Sequence, residues 1–154
     1  SQADLIRKRL MNIKMQLFAT PEYLASHGTP ETMDDFSSHR LICQHAGTAQ
    51  VAAGANLVAD LMTHDIPSTL TVNNYFGVLQ GVLNHLGIGV LPDYLLDDFP
   101  GLIRVLPHVE SGEVPVFLAY PEELRHSKRV GAFRDFVVEE IMAYRKRQQE
   151  EPGV

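Results

Sequence analysis

Seven histidines, one cysteine and a few adjacent carboxylates are the side chains of this 154-residue chain with the most obvious chemical potential. His27, His39, His45, His64, His85, His108 and His126 never fall beside another His, Cys or carboxylate at the spacing that lines up metal ligands on one helix face, so no metal centre is expected. Cys43 lies within a short apolar stretch, where a small buried hydrophobe is the default; a redox-sensing thiol is the alternative, and no local base or resolving cysteine supports it. With a single cysteine there is no internal disulfide, which fits a reducing compartment. No serine sits in a G-x-S-x-G elbow, and the pairs Asp97–Asp98 and Glu122–Glu123 read as solvated loop or helix-start charges. Gly87 and Gly89 superficially suggest a dinucleotide loop, but that fingerprint needs a strand before it and a helix after it, and here the order is reversed. Neither an enzyme nor a cofactor is expected.

What remains is binding chemistry at strand ends. In open parallel sheets, ligands sit beyond the carboxyl ends of strands, where backbone N–H groups and helix dipoles favour small anions. Three such ends carry polar groups: Gln44 to Thr48 after "LICQ", Asn73 to Tyr75 after "STLTV", and Thr20 after "IKMQLFA". Asn73 and Thr20 are each also explained as helix caps, whereas the loop Gln44 to Thr48 caps no obvious helix.

The elements that would position these groups follow from a hydrophobic period that switches repeatedly, the pattern of an α/β fold. "IKMQLFA" (13–19) alternates as a strand, and Thr20 with Pro21 caps and starts a helix, "PEYLASHG", closed by Gly28. A polar stretch with one helical turn around Asp34 to Ser38 leads to the strand "LICQ" (41–44). Leu57, Val58, Leu61 and Met62 predict a helix within "GANLVADLMTHD", and "STLTV" (68–72) predicts a strand. Tyr75, Val78, Leu79, Val82, Leu83 and Leu86 recur at intervals of three and four, an amphipathic helix capped by Asn73 or Asn74 and ended by Gly87 in the left-handed conformation. Within it, "GVLQG" (77–81) places two small residues on one face, which permits close packing against a strand. "IGVL" is apolar on both faces, as a parallel strand covered by helices should be, and Pro92 stops its ladder. Strands "LIRVL" (102–106) and "VPVFLAY" follow, and a last helix starts near Ser127, striped by Val130, Phe133, Val137, Ile141 and Tyr144.

Composition bounds the partners. With 45% hydrophobic residues the chain supports one domain with a real core, and 19 acidic against 13 basic residues give a net charge of −6, no electrostatic reason to seek DNA or anionic lipid. No apolar run approaches the roughly 20 residues of a membrane span, and the N-terminus lacks the layout of a signal peptide.

Three stretches, "LFATPEYLASHGTPETMDDFSSHRLI", "LTVNNYFGVLQGVLNHLGIGVLPDYL" and "VPVFLAYPEELRHSKRVGAFRDFVVEEI", resemble the C-terminal effector-binding domain of LysR-type transcriptional regulators. Pro21, Tyr23, Gly28, Asp35, His39, Gly87, Gly89, Pro92, Pro115 and Tyr120 are among the matching positions, in order across nearly the whole chain. Phe36 stands where the family usually has leucine, and the segment from Gln44 to Asp65 departs from the commoner members. The resemblance implies a fold like the two-lobed (type II) periplasmic binding proteins, with residues 13–113 as the second lobe, 1–12 and 114–149 as remnants of the first, and 150–154 as a tail. It implies that the chain is a truncated piece of a cytoplasmic regulator that reaches DNA only through an N-terminal helix-turn-helix, absent here. Carried over residue by residue, the effector-binding positions are Gln44, His45, Thr48, Asn73, Asn74, Tyr75 and Val116, and the partners are a small effector, carboxylates among the candidates, and further copies in a dimer or tetramer. A solute receptor of a transport system shares the fold and is the alternative.

Overall fold

The computed structural model describes residues 4–44, 57, 59–61, 63, 64, 66, 68–109 and 111–150. The chain divides into two compact units, Ile13–Val114 and the pair of segments Ser1–Asn12 and Pro115–Val154.

The larger unit is built on a five-stranded sheet. Its strands are β2 (Met15–Ala19), β3 (Arg40–Gln44), β4 (Ser68–Val72), β5 (Ile88–Pro92) and β6 (Ile103–Val105), in spatial order β4-β3-β5-β2-β6. β3 runs parallel to β4 and β5, while β2 runs antiparallel to both β5 and β6. The sheet is therefore mixed, and β5, expected among parallel neighbours, has one neighbour of each kind. Strand direction is not written in periodicity, because a strand buried on both faces reads as the same apolar run in either orientation.

Alternation sorts the sheet residues between two cores. Leu17, Ala19, Leu41, Cys43, Ile88 and Val90 pack on one face with Tyr23 and Leu24 of α1 (Pro21–His27), with Phe36, and with Leu57 and Leu61. Phe18, Ile42 and Leu91 pack on the other with Val78, Leu79 and Val82 of α2 (Tyr75–Leu83). Leu57 and residues 59–61 are helical; Val58 and Met62 lie outside the described residues. The predicted turn at Asp34 to Ser38 is a 3-10 helix, Met33–Ser38, entered through Asp35, whose Oδ2 accepts from the backbone N–H groups of Glu31 and Thr32 at 2.9 and 2.8 Å. Those bonds hold the Asp35 carboxyl below the usual carboxylate range.

α1 begins as expected, with Thr20 Oγ1 accepting from the Tyr23 N–H at 3.4 Å and Pro21 in the first turn. Tyr23 is 2% exposed; its ring stacks on His27 with centroids 4.3 Å apart. Its hydroxyl accepts from the Arg40 N–H at 3.0 Å and lies 3.2 Å from Nδ1 of His39, tying α1 to the start of β3. Burial, then the nearby His27, push the His39 pKa down, although Asp35 opposes them.

The end of α2 differs from expectation. The helix stops at Leu83 with Asn84 as its cap, and the left-handed residue is His85 (φ 61°), not Gly87. A histidine adopts this conformation several-fold more readily than a branched residue, and here its Nδ1 is also held 2.7 Å from Thr20 Oγ1. Gly87 is required for a different reason: a Cβ there would run into the Arg40 carbonyl oxygen. Gly89 lies beneath α2, where a Cβ would collide with Val82 Cγ2 and stand 2.9 Å from Val78 Cγ1. Gly81 of α2 also packs tightly on Ile42 of β3, where a Cβ would meet Ile42 Cδ1 at 3.0 Å, so "GVLQG" does serve helix-on-strand packing. After β5 comes a single helical turn, α3 (Leu95–Asp98).

The smaller unit pairs β1 (Leu5–Ile13) with β7 (Val114–Pro121) and carries α4 (Lys128–Glu150). β1 was not expected. Residues 7–9, Arg-Lys-Arg, break the apolar alternation, and only the pairing with β7 makes the segment a strand. Along α4 residues 130, 134, 137, 141 and 144 are half-buried, and the Arg134 guanidinium is hydrogen-bonded to Tyr120 and Asp135, which raise its pKa.

Candidate functional site

Parallel pairing of β3 with β4 sets Gln44 opposite Val72, so both strands end at one edge of the sheet. Past Val72 the chain turns at Asn73 and Asn74 and enters α2. Gln44 Nε2 donates to the Asn73 carbonyl at 3.1 Å, and Asn74 Nδ2 donates to Asn73 Oδ1 at 2.8 Å. Asn74 Oδ1 accepts from the Gly77 N–H at 2.9 Å, so Asn74, not Asn73, is the N-cap. Cap geometry is decided by which residue keeps extended backbone dihedrals, and Asn74 does (φ −153°, ψ 160°).

The N–H groups of Tyr75 and Phe76 belong to the first turn, which has no intrahelical acceptors, and they carry the positive end of the helix dipole. Both side chains reach solvent, Tyr75 being 37% and Phe76 67% exposed. The edge thus presents amide, phenol and backbone N–H donors that suit a small polar or anionic ligand.

Two further residues at this edge were missed in the sequence. Asp93 and Tyr94 follow β5, whose last residue, Pro92, pairs with Met15. Burial raises the pKa of the half-buried Asp93, against hydrogen bonds from the Lys14, Tyr94 and Asp93 backbone and the charge of Arg104. Burial also raises Tyr94, assisted by the neighbouring Tyr75, Asp93 and Asp98; its phenol is hydrogen-bonded to Tyr75. Pro92 marked the end of a strand in the sequence, but its membership of the same edge depends on β5 being parallel to β3.

Of the expected positions, Gln44, Asn73, Asn74 and Tyr75 come together here. His45 and Thr48 lie outside the described residues. Val116 belongs to the smaller unit, on β7, where residues 114, 116, 118 and 120 are half-buried and 115, 117 and 119 exposed. Thr20 is excluded from the edge. Because β2 is antiparallel to β5, its carboxyl end lies at the opposite side of the sheet, and Thr20 bonds His85 there. Cys43 is 3% exposed, and burial raises its pKa, against a hydrogen bond with Thr71, so the thiolate is disfavoured. Among the described residues no group of three or more His, Cys, Asp or Glu could hold a metal ion, and no helix is long and apolar enough to cross a membrane.

Comparison with known proteins identifies relatives of this arrangement. The LysR substrate binding domain matches residues 1–142. The HTH-type transcriptional regulator CrgA of Neisseria meningitidis serogroup C is 28% identical over 143 residues, 90% of this chain and 48% of that protein. The HTH-type transcriptional regulator YhjC of Escherichia coli K12 is 27% identical over 145 residues, 91% of this chain and 48% of that protein. The chain thus spans about half the length of the curated relatives it matches. Among solved structures, the CrgA regulatory domain superposes with a TM-score of 0.73 at 23% identity, covering 92% of this chain and 71% of that one. The effector domain of AmpR from Pseudomonas aeruginosa gives 0.66 at 15% identity, covering 96% and 70%.

Proposed function

This chain belongs to the LysR substrate binding domain family, and from that premise we propose that it is the effector-sensing part of a transcriptional regulator, working in the cytoplasm and without catalysis. The observation that carries the reading is the convergence of Gln44, Asn73, Asn74 and the first turn of α2 at the carboxyl ends of β3 and β4. His45, Thr48 and Val116 complete the binding set by family resemblance, and Tyr94 joins it through its bond to Tyr75. The ligand is a small molecule bearing hydrogen-bond acceptors, carboxylates foremost, because the edge offers donors and a helix N-terminus. Effector binding would favour one arrangement of the lobes and thereby the geometry of a dimer or tetramer, and with it the placement of DNA-binding heads supplied elsewhere in the protein. The same fold serves solute receptors of transport systems, but the relatives that match are described as HTH-type transcriptional regulators.

The test is a thermal-shift screen of small mono- and dicarboxylates against the full-length regulator, repeated with Asn74→Ala. A hit that raises Tm in the parent and is weakened in the variant supports the reading. A hit unaffected by Asn74→Ala and by Gln44→Ala places the site elsewhere and refutes it. Turnover of a bound acid would refute the non-catalytic role.

A further inference from the structure

At the sheet edge opposite the proposed effector site, the end of β2, the end of α2 and the residues around the end of α3 line an open, solvent-facing hollow of about 430 Å³. That volume lies within the roughly 300–1,000 Å³ of small-molecule sites. Its apolar surface comes from Leu83, Phe99 and Leu102, which pack into the core on the α2 face of the sheet. Its charged and polar lining consists of Thr20, Glu22, His85 and Asp98, and neither lysine nor arginine lines it.

The His85 ring is fixed between two of these groups. Nδ1 is 2.7 Å from Thr20 Oγ1 and 3.8 Å from Glu22 Oε2, so the imidazole and the Glu22 carboxylate share one corner of the hollow. Asp98, the last residue of α3, supplies a second carboxylate directly before Phe99. An apolar wall with a carboxylate from each of two elements, and no lysine or arginine in the lining, favours positive charge attached to a hydrophobic body.

We propose that this hollow is a second binding site, for a small organic cation of the arylalkylammonium class: ammonium toward Glu22 and Asp98, ring against Phe99 and Leu83. It does not depend on the effector reading, since no residue of the proposed effector set lines it.

The experiment is a titration of the whole chain, followed by backbone amide NMR, with three probes of matched shape: benzylammonium, benzyl alcohol and benzoate. Benzylammonium is expected to shift the Gly101, Leu102 and His85 amides saturably, with Kd on the order of 1 mM. Benzoate should leave them unmoved, and benzyl alcohol should bind more weakly. Glu22→Gln and Asp98→Asn should each weaken benzylammonium about two- to fivefold, and together about tenfold, as expected for exposed ion pairs. Glu139→Gln on α4 should change nothing. Both altered carboxylates are solvent-exposed, and the variants' own spectra report whether the fold is kept. Absence of saturable shifts, equal response to all three probes, or insensitivity to both substitutions would overturn the proposal.

Discussion

Replacing Tyr23 by Phe isolates a single hydroxyl on which one corner of the larger unit depends. The substitution keeps the ring, and so the stack on His27 and the contacts of a side chain that is only 2% exposed. It deletes the oxygen that accepts from the Arg40 N–H at 3.0 Å and stands 3.2 Å from His39 Nδ1. Each such bond contributes about 1 kcal/mol net, and His39, 4% exposed, would face an apolar ring edge instead. Together the loss is about 2–3 kcal/mol. At a urea m-value of roughly 1–1.5 kcal/mol/M for a unit of this size, the unfolding midpoint falls by about 2 M.

A second signature concerns acid. Burial and then His27 depress the His39 pKa, so His39 contributes stability that is present above its unfolded pKa of about 6.5 and is lost as pH falls below it. The hydroxyl accepts from the Arg40 N–H and stands within hydrogen-bond reach of Nδ1, but the depression of the His39 pKa comes from burial and His27. Tyr23→Phe leaves His39 buried and beside His27, so the decline in stability between pH 7.5 and 5.5 should persist in the variant. Urea unfolding at both pH values, followed by tyrosine-independent far-UV circular dichroism, measures both effects. A destabilisation under about 0.5 kcal/mol at pH 7.5, or disappearance of the decline in stability toward pH 5.5, refutes the reasoning.

Other consequences are simpler. Gly89→Ala drives a methyl into Val82 and Val78 and should cost about 1–3 kcal/mol, read as a lowered midpoint, with Gly101→Ala, where a Cβ meets nothing within 4 Å, as the neutral contrast. Asn74→Ala removes the α2 cap and should lower stability by about 1 kcal/mol, or roughly 2–4 °C in Tm, while Asn73→Ala should do less. Cys43, buried and with its pKa raised, should react with a maleimide only as fast as the unit opens, so labelling should accelerate steeply in urea; rapid labelling of the folded chain would contradict its placement in the core.

Much of this protein is local and was legible in its residues. Thr20 and Pro21 start α1 because a cap oxygen and a fixed φ act within one turn, and the three-four recurrence from Tyr75 builds α2 because helix faces repeat over the same interval. "IGVL" is buried on both faces, as its unbroken apolar run required. The larger unit's packing of Gly81 on Ile42 also follows from two small residues four apart.

Direction and pairing were decided elsewhere. Nothing in "MQLFA" records that it runs against its neighbours, yet that reversal removes Thr20 from the effector edge and delivers it to His85. β1 exists only because β7 supplies its hydrogen-bonding partner, across more than a hundred residues. Gly87 was legible as a glycine with a purpose, but the purpose, clearance for the Arg40 carbonyl, belongs to a strand remote in sequence. Side-chain periodicity encodes which face of an element is buried; which element lies beside it, and which way that neighbour points, is settled only when non-local hydrogen bonds and packing select one arrangement of the same apolar faces.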